Sequence, residues 1–283
     1  MKKRNNILPA TITIGPIILW MSLFILIPML YIFVMSFLEK GTYGGIVAKF
    51  TLKNYSDLLN PLYINIYVTS IYIAVLTTVI CLILGYPFAY IICNSSKGMK
   101  AMLVTLIMLP FWINSLIRTY GWNTLLRTEG VINTILLKLG LINHPLTMLY
   151  TNGAVLLGMV YTLFPFMILP LYTSIEKLDK SLIEASNDLG ASRVHTFFRV
   201  ILPLTMPGIF AGSIQVFIPT LGYFFISDMM GGGKSILIGN LIKNQFLSAR
   251  NWPLGASLSI LLILLTIVLM KLYGKIGKVE DMV

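Results

Sequence analysis

The sequence has 283 residues, of which 57% are hydrophobic and 11% are charged. Soluble domains carry about 25% charged residues, so this chain has too few charges to cover a water-facing surface, and a soluble globular domain is excluded. The 21 Lys and Arg residues exceed the 10 Asp and Glu residues, for a net charge of +11. Because the basic residues lie in short segments between long apolar runs, they indicate helix orientation and contact with anionic lipid heads, and not nucleic-acid binding.

Six apolar stretches have the length that crosses a membrane, which takes about 20 mostly apolar residues. They are 13–37, 66–92, 101–117, 151–174, 200–227 and 253–273. The first follows three basic residues and is too long for the apolar part of a signal peptide, so we interpret it as a retained helix. The predicted fold class is an all-α integral membrane protein with about six transmembrane helices, in a single domain over 1–283.

The basic residues also predict the orientation of these helices. With the N-terminus inside, the inside segments are 1–10, 94–100, 176–199 and 271–283. The outside segments are then 39–61, 118–150 and 228–252. Lys and Arg are about twice as dense inside as outside, which agrees with the positive-inside rule. Both termini are therefore predicted to be cytoplasmic.

Small and helix-breaking residues are frequent in the predicted spans. Gly208 and Gly212 form a G-x-x-x-G spacing that allows close helix contact, and Cys81 and Cys93 are interpreted as small packing residues. Proline removes a backbone donor and kinks a helix, which favours a moving or pore-lining bundle, although proline is also commoner in membrane helices generally. The prolines in the spans are Pro28, Pro87, Pro110, Pro165, Pro170, Pro203, Pro207 and Pro219.

The predicted inside segment around 174–207 has the pattern of a helix–turn–helix elbow. Gly190 suits the left-handed position just after a helix, and Ser192 is a candidate cap for a second helix. Apolar residues recur before that turn at spacings of four, three and four, as on one face of a helix: Leu178, Leu182, Ala185 and Leu189.

The polar residues of this elbow favour a protein partner over the lipid surface. A helix that rests on anionic lipid needs a cationic polar face, whereas this one has two lysines against four acidic residues: Glu176, Asp179, Glu184 and Asp188. A purely local role for Glu184 is also open, because Ser181 and Glu184 have the spacing of a capping box.

A family resemblance enters at these residues. The series Glu184-Ala185-Ser186, Gly190 and Leu202-Pro203 resembles the EAA loop of ABC importer permeases, with Ser186 and Val200 standing where Ala and Ile are usual. The resemblance implies a type I ABC importer permease in which this elbow is a cytoplasmic coupling helix inserted into an ATPase subunit. Glu184, Ala185 and Gly190 match by position as coupling residues, and Ser186 and Leu189 lie among them.

Three further segments, 50–59, 109–122 and 224–242, resemble the permease subunits of spermidine/putrescine importers, the PotB family. The resemblance implies a polyamine importer in a bacterial plasma membrane, with this chain forming half of the translocation pore. It also implies a second, PotC-like permease subunit, two copies of a cytoplasmic ABC ATPase and an extracytoplasmic polyamine-binding protein. Cofactors are expected only on the ATPase, which uses ATP and Mg²⁺.

One short motif points falsely to nucleotide binding. Gly233-Lys234-Ser235 resembles the end of a phosphate-binding P-loop, but the full pattern requires Gly where Asp228 stands. The motif also lies on the predicted outside, away from cytoplasmic ATP. We therefore expect that a partner subunit hydrolyses ATP.

A candidate substrate path lies at the predicted outer end of the fifth span. Asp228 follows Tyr223, Phe224 and Phe225, and a carboxylate beside aromatic rings suits an alkylammonium through an ion pair and cation–π attraction. Trp112 offers a further ring. The alternative is that these rings are ordinary anchors at the membrane interface.

Other classes of function are weighed against this interpretation. An ABC permease for another small solute shares all the features except the substrate. A stand-alone channel or secondary carrier usually has ionisable groups in mid-membrane, and the predicted spans have none away from their ends. An enzyme needs a catalytic or metal cluster, whereas His144 and His195 are isolated on opposite predicted sides, so no catalytic or metal residues are assigned.

Overall fold

The computed structural model describes residues 7–277. The structure does not describe residues 2–4, which are basic, or the end of the chain, 278–283. The sequence predicts both segments to be cytoplasmic. The first elements are α1 (Ile7–Met21), a π-helical turn (Ser22–Leu26), α2 (Ile27–Met35), β1 (Leu38–Lys40), β2 (Ile46–Phe50), α3 (Lys53–Asp57), α4 (Pro61–Asn94), α5 (Lys97–Met108), a 3₁₀ turn (Leu109–Trp112), α6 (Ser115–Leu126) and α7 (Val131–Lys138). The remaining elements are α8 (Asn152–Glu176), α9 (Lys180–Asp188), α10 (Arg193–Thr196), a π-helical turn (Phe197–Ile201), α11 (Leu202–Leu204), α12 (Met206–Gly222), α13 (Phe224–Gly231), α14 (Ile238–Leu247) and α15 (Trp252–Gly277).

Four uninterrupted helices are long and apolar enough to cross a membrane. They are Ile14–Met35, Pro61–Asn94, Asn152–Glu176 and Trp252–Lys271. Two bent pairs also qualify if each pair counts as one span, namely Lys97–Trp112 with Ser115–Lys138 and Arg193–Leu204 with Met206–Gly222. The described residues therefore contain four to six candidate spans, which agrees with the predicted fold class.

The third predicted span, 101–117, is wrong at its outer end. The helix ends at Trp112, and the chain resumes at Ser115 in a helix that is inclined by 91° to the first. Pro110 lies in the 3₁₀ turn, and Asn114 caps the new helix by accepting from the Leu116 amide at 2.9 Å. A mean hydropathy over the stretch does not reveal this break, because both sides of it are apolar.

The fifth predicted span, 200–227, is broken twice. A bend of 64° separates Arg193–Leu204 from Met206–Gly222, next to the two prolines Pro203 and Pro207. The second break falls at Tyr223, after which α13 begins. Asp228 therefore lies inside a separate short helix and does not close the span, which corrects the prediction. By contrast, Pro87, Pro165, Pro170 and Pro219 lie within continuous helices.

Contacts divide the chain into two compact units, Met1–Tyr63 with Ile242–Leu265 and Ile64–Leu241 with Thr266–Val283. The first unit contains a departure from an all-α fold, because β1 and β2 pair as an antiparallel hairpin. Asn54 is buried beside this hairpin and donates to the carbonyl oxygens of Ser36 and Leu38 at 3.0 and 2.9 Å. Its side chain thus replaces the backbone partners that a two-stranded sheet lacks at its edge.

The second unit is built on α8, whose inward residues include Met159, Leu163, Met167 and Leu171, all fully buried. The G-x-x-x-G pair brings α12 against it, as predicted. A Cβ at Gly208 would lie 2.7 Å from the Pro170 carbonyl oxygen, and one at Gly212 would lie 2.7 Å from the Met167 Sδ. At Gly208 the neighbour is a backbone atom that cannot yield, so glycine is required; at Gly212 the flexible Met167 side chain would have to shift, and the Met167 carbonyl oxygen would lie 3.1 Å from the Cβ.

The two cysteines also serve the packing on α8. Cys81 is buried, and its thiol lies 3.8 Å from the Val160 carbonyl oxygen. Cys93 lies 3.5 Å from the Tyr172 carbonyl oxygen. Both thiols are free, and their interpretation as small residues between helices is confirmed.

Candidate functional site

The elbow starts with a capped helix, α9. The Asp179 carboxylate is the N-cap and accepts from the Ser181 amide at 2.9 Å. That hydrogen bond holds the pKa of Asp179 below its ordinary value, because it favours the ionised form. The predicted capping box between Ser181 and Glu184 is therefore wrong, since Ser181 is already the second residue of the helix. Glu184 is exposed and does not cap the start of the helix.

The turn of the elbow has the geometry that the sequence predicts. Gly190 has φ of +80°, and its amide donates to the Asn187 carbonyl at 2.9 Å, while the Ala191 amide donates to the Ser186 carbonyl at 3.1 Å. These two bonds form a Schellman motif, which satisfies the last carbonyls of a helix. Ser192 then caps α10 by accepting from the His195 amide at 3.3 Å.

The apolar face of the elbow is not covered by the chain itself. None of the nine residues of α9 is buried, and Leu189 is 88% exposed. Leu182 and Ala185 are exposed on the same helix, whereas Leu178 lies before the helix and packs on the core of the second unit. The predicted stripe of four is thus an exposed face of three residues. Leucines exposed on one face of an amphipathic helix suit contact with a protein groove or with the lipid surface.

The four acidic residues that are predicted to lie on the first helix of the elbow do not all lie on it. Glu176 ends α8 and pairs with Lys100 of α5, whose ammonium lies 2.8 and 2.7 Å from its two carboxylate oxygens. Asp179 is the cap, so the acidic residues of α9 itself are Glu184 and Asp188. The four acidic residues therefore do not form one face, and the ion pair instead joins the C-terminal end of α8, from which the elbow starts, to α5.

Two concave surfaces adjoin the elbow. A cavity of about 650 Å³ is bounded by residues of both arms: Ser186, Leu189, Gly190, Ala191, Ser192, His195, Arg199 and Val200. A second, of about 570 Å³, separates α9 from the bend before α12 and includes Lys177, Asp179 and Leu182. The Ser186 hydroxyl lies 3.0 Å from the Thr196 hydroxyl and so joins the two arms. All five predicted coupling residues, 184–186, 189 and 190, thus lie on one elbow, whose helices are capped and whose two arms are joined by a hydrogen bond.

Three of the five predicted substrate-path residues, Phe224, Phe225 and Asp228, fall in a helical hairpin. We call residues 224–241, which comprise α13, its loop and the start of α14, the 224–241 hairpin. Its inner side is buried, as Ile226, Met230 and Ile238 show. The predicted outside segment 228–252 is therefore not a solvated loop at its start. Serine contacts close the hairpin, because Ser227 donates to the Ser235 carbonyl and Ser235 to the Asn152 side chain.

Asp228 is exposed on this hairpin and has a structural contact. Asn240 is only 2% exposed. Its side-chain Nδ2 donates to Asp228 Oδ1 at 2.5 Å and to the Phe224 carbonyl oxygen at 2.9 Å. The Asn240 side-chain oxygen accepts from the Leu237 amide at 3.1 Å. Asn240 therefore organises the hairpin, and sequence reasoning missed it because a single Asn between apolar residues gives no pattern.

The predicted aromatic residues divide into two groups. Tyr223 and Phe225 have ring centroids 5.4 Å apart, and Phe224 and Phe225 6.3 Å apart, so these three rings are adjacent to one another and precede Asp228. Trp112 belongs to a different element, the 3₁₀ turn at the other bent pair, and is 80% exposed. The sequence thus identified one group of adjacent aromatic rings, which precedes Asp228 in the chain, and one separate ring.

Arg118 is a further notable residue that sequence reasoning left aside, because the third span was predicted to end one residue before it. Its guanidinium carbon lies 5.6 Å from the ring centroids of both Phe111 and Tyr161. Its Nε and Nη1 atoms are buried and have no hydrogen-bond partner among the described residues. Since Phe111 precedes the 91° bend and Arg118 follows it, this stack holds the bend.

Comparison with known proteins agrees with this architecture. Residues 85–278 match the family described as binding-protein-dependent transport system inner membrane component. The chain is 46% identical over 267 residues, 94% of this chain and 93% of the relative, to the spermidine/putrescine transport system permease protein PotB of Salmonella typhimurium strain SL1344. It is 47% identical over 259 residues, 92% of this chain and 94% of the relative, to PotB of Escherichia coli K12.

A solved structure shows the same fold at low sequence identity. A bacterial alginate ABC transporter in complex with an alginate pentasaccharide-bound periplasmic protein has a chain that superimposes with a TM-score of 0.79. The match has 17% identity and covers 99% of this chain and 96% of that chain. With its apolar helices and exposed elbow, the chain therefore belongs to the family of binding-protein-dependent transport system inner membrane components, as a multi-pass transport permease with the fold of type I ABC importers.

Proposed function

We propose that this chain is the permease subunit of an ATP-driven importer of polyamines, spermidine or putrescine. The observation that supports this substrate is the 46–47% identity with PotB permeases along nearly the whole of both chains. The similarity includes both bent pairs and the 224–241 hairpin, so it is not limited to the elbow that ABC importer permeases have in common. A permease of this type forms one half of the pore, and a PotC-like subunit forms the other half.

The elbow is the proposed contact with the ATPase. Its exposed Leu182 and Leu189 form an apolar face, and Glu184 adds a charge beside it, which suits insertion into a groove on a protein. Two copies of a cytoplasmic ABC ATPase bind and hydrolyse ATP with Mg²⁺, one against this elbow and one against that of the second permease subunit. This chain binds neither ATP nor Mg²⁺.

The substrate path includes Asp228 with Tyr223, Phe224 and Phe225. A carboxylate adjacent to ring faces attracts an alkylammonium through charge and cation–π interaction. Asp228 itself is exposed at the surface of the hairpin. Trp112, exposed in its 3₁₀ turn, is a further ring on this path. An extracytoplasmic polyamine-binding protein delivers the substrate.

Transport by the assembled complex tests this function. The chain, purified with its co-expressed subunits and reconstituted with ATP on the ATPase side, should take up radiolabelled spermidine or putrescine from the loaded binding protein. A neutral sugar and an amino acid are the control substrates. Uptake of one of these without uptake of either polyamine would assign the permease to another solute, and uptake that continues without ATP would favour a carrier.

The proposed orientation places both termini and the elbow in the cytoplasm. A membrane-impermeant thiol reagent on intact cells should label a cysteine at Asn143, in the outside segment 118–150, and not one at Asn187, in the elbow. Both positions are exposed. Cys93, the less buried native thiol, is replaced by Ser to lower the background. Labelling at Asn187 and not at Asn143 would reverse the orientation.

A further inference from the structure

Arg118 carries a charge that the described part of the chain does not neutralise. It takes part in no ion pair among residues 7–277. Its Nε and Nη1 atoms are buried and find no hydrogen-bond acceptor in that range. A buried donor without an acceptor is costly, and a buried charge without a counter-charge is costlier. This guanidinium is therefore suited to an anion that comes from outside the chain.

Two aromatic rings hold the guanidinium in one position. Its carbon atom lies 5.6 Å from the ring centroid of Phe111 and 5.6 Å from that of Tyr161. Tyr161 is held in turn by Trp122, one turn further along α6, with ring centroids 5.4 Å apart. Cation–π attraction replaces part of the lost hydration, but the rings carry no net negative charge. The side chain is thus preorganised while its charge stays unpaired.

The bend in the chain places Arg118 at one surface of the membrane. The 12 residues of α5 and the four of the 3₁₀ turn together extend about 26 Å, close to the thickness of the hydrocarbon layer. Because α6 then leaves at 91°, it follows the membrane surface where α5 crosses the membrane. Arg118 lies in the first turns of α6, and Tyr120 on the same helix is exposed, as is usual at the level of lipid headgroups.

An apolar cavity of about 240 Å³ adjoins this cation. Tyr161 is common to both, because it lines the cavity and stacks on the guanidinium. The lining residues come from α4, α5 with its 3₁₀ turn, and α8: Leu84, Ile107, Pro110, Val160, Tyr161, Phe164 and Pro165. Apart from the Tyr161 hydroxyl, their side chains have no polar atom, so the cavity suits a hydrocarbon chain and not a hydrated ion.

We propose that Arg118 and the apolar cavity form a binding site for an anionic phospholipid, with the phosphate on the guanidinium and one acyl chain in the cavity. Arg118 is only part-buried, so a phosphate reaches it from the surface, and guanidinium–phosphate hydrogen bonds are strong. A free phosphate has no chain for the cavity, and a zwitterionic lipid has a cation that Arg118 repels. A polyamine is repelled as well, so this site is separate from the cargo.

Native mass spectrometry of the whole importer tests the proposal. The complex is purified with its co-expressed subunits, stripped of bulk lipid in detergent and titrated with dioleoyl phosphatidylglycerol. Arg118→Gln should weaken the binding of one lipid on the order of tenfold, because a charge-assisted contact is lost. The control is Arg127→Gln, the same change at an exposed position at the end of α6. Dioleoyl phosphatidylcholine and glycerol phosphate should each bind the wild type at least about tenfold more weakly.

A second variant tests the cavity and leaves Arg118 in place. Leu84→Trp enlarges a side chain that lines the cavity. Its control is Ile83→Trp, at the neighbouring position of α4 outside the lining. Both positions are exposed, with 52% exposure at Leu84 and 64% at Ile83, so neither change disturbs the core. Leu84→Trp should weaken phosphatidylglycerol binding on the order of tenfold, since the acyl chain loses its place, and Ile83→Trp should leave the binding unchanged.

Several results would overturn the proposal. Wild-type binding of phosphatidylglycerol by Arg118→Gln or by Leu84→Trp is one of them. Equal binding of glycerol phosphate would indicate a site for free anions, and equal binding of phosphatidylcholine a site for hydrocarbon alone. Loss of the second permease subunit from Arg118→Gln, with lipid binding unchanged, would assign the guanidinium to a carboxylate of that subunit. If Arg118→Gln does not assemble, the comparison of Leu84→Trp with Ile83→Trp decides. Lipid binding is measured without transport, so failure of the polyamine assignment would leave this inference intact.

Discussion

The elbow and the 224–241 hairpin are both built from two short helices joined by a turn with glycine at positive φ, yet they treat their apolar residues in opposite ways. In the elbow, Leu189 is almost fully exposed and no residue of α9 is buried. In the hairpin, Met230 and Ile238 are completely buried. The inner side of the hairpin is buried within the chain, whereas the apolar residues of the elbow are exposed. Two short helices joined by a turn can therefore be interpreted as a contact surface or as part of the core only when the burial of their apolar residues is known.

The same contrast applies to the two glycines at the turns. A Cβ at Gly190, with φ of +80°, would meet no atom within 4 Å. At Gly232, with φ of +57°, a Cβ would overlap Tyr150. The elbow thus needs glycine for its backbone conformation alone, and the hairpin needs it for conformation and space.

The largest expected effect is that of alanine at Gly232. Gly190→Ala should destabilise its turn by about 1 kcal/mol, the cost of a left-handed residue with a Cβ. Gly232→Ala adds overlap with Tyr150, for a total of about 2–4 kcal/mol. Thermal unfolding of the purified chain in detergent measures both. Equal midpoints of thermal unfolding for the two variants would show that the hairpin accommodates a Cβ as easily as the elbow does.

Substitutions in the elbow should remove transport and leave the fold intact. Glu184→Lys would place an unpaired charge at the proposed ATPase contact, which costs about 3 kcal/mol, and Gly190→Pro removes the positive φ of the turn. Uptake and the amount of ATPase that co-purifies should fall, whereas membrane insertion stays normal. The control is Asp57→Lys in α3, which makes the same charge change. Normal uptake and ATPase recovery in either elbow variant would contradict the coupling role.

In the hairpin, Asp228→Asn should weaken polyamine uptake without loss of assembly. Asn keeps an oxygen that can accept from Asn240, and only the charge is removed. The contrasting variant is Asn240→Ala, which leaves the buried Leu237 amide unpaired and costs about 1–3 kcal/mol, so that less complex is recovered. Radiolabelled uptake is normalised to recovered complex. If normalised uptake is unchanged in Asp228→Asn, that carboxylate is structural and not part of the substrate path.

The smallest expected effect concerns the cap of α9. Asp179→Asn should be nearly neutral, because Asn is an equally good N-cap, whereas Asp179→Ala should speed hydrogen exchange at the Ser181 amide. Since the pKa of Asp179 is lowered in the folded protein, its ionised cap contributes at all pH values above the ordinary Asp pKa. The contribution is lost only as the pH falls through the lowered pKa. Faster exchange at neutral pH in Asp179→Asn would show that charge, and not hydrogen bonding, stabilises the first turn.

Local sequence patterns were sufficient for much of this protein. Long apolar runs locate α4 and α8, because lipid requires a continuous helix to satisfy its own backbone. Gly190 and Ser192 predict the elbow turn, because positive φ and capping depend on single residues. The spacing of Gly208 and Gly212 predicts a close helix contact, since it places both on one face.

Tertiary structure alone decided the rest. The 91° bend after Trp112 and the break at Tyr223 each have apolar residues directly on both sides, so the hydropathy of the sequence does not mark them. The capping box at Ser181 gave way to Asp179, because where a helix starts depends on how the preceding helix ends. The hydrogen bonds of Asn240 and the ion pair of Lys100 with Glu176 join residues from different helices. Such contacts depend on which elements meet in space, which no local pattern in a single sequence records.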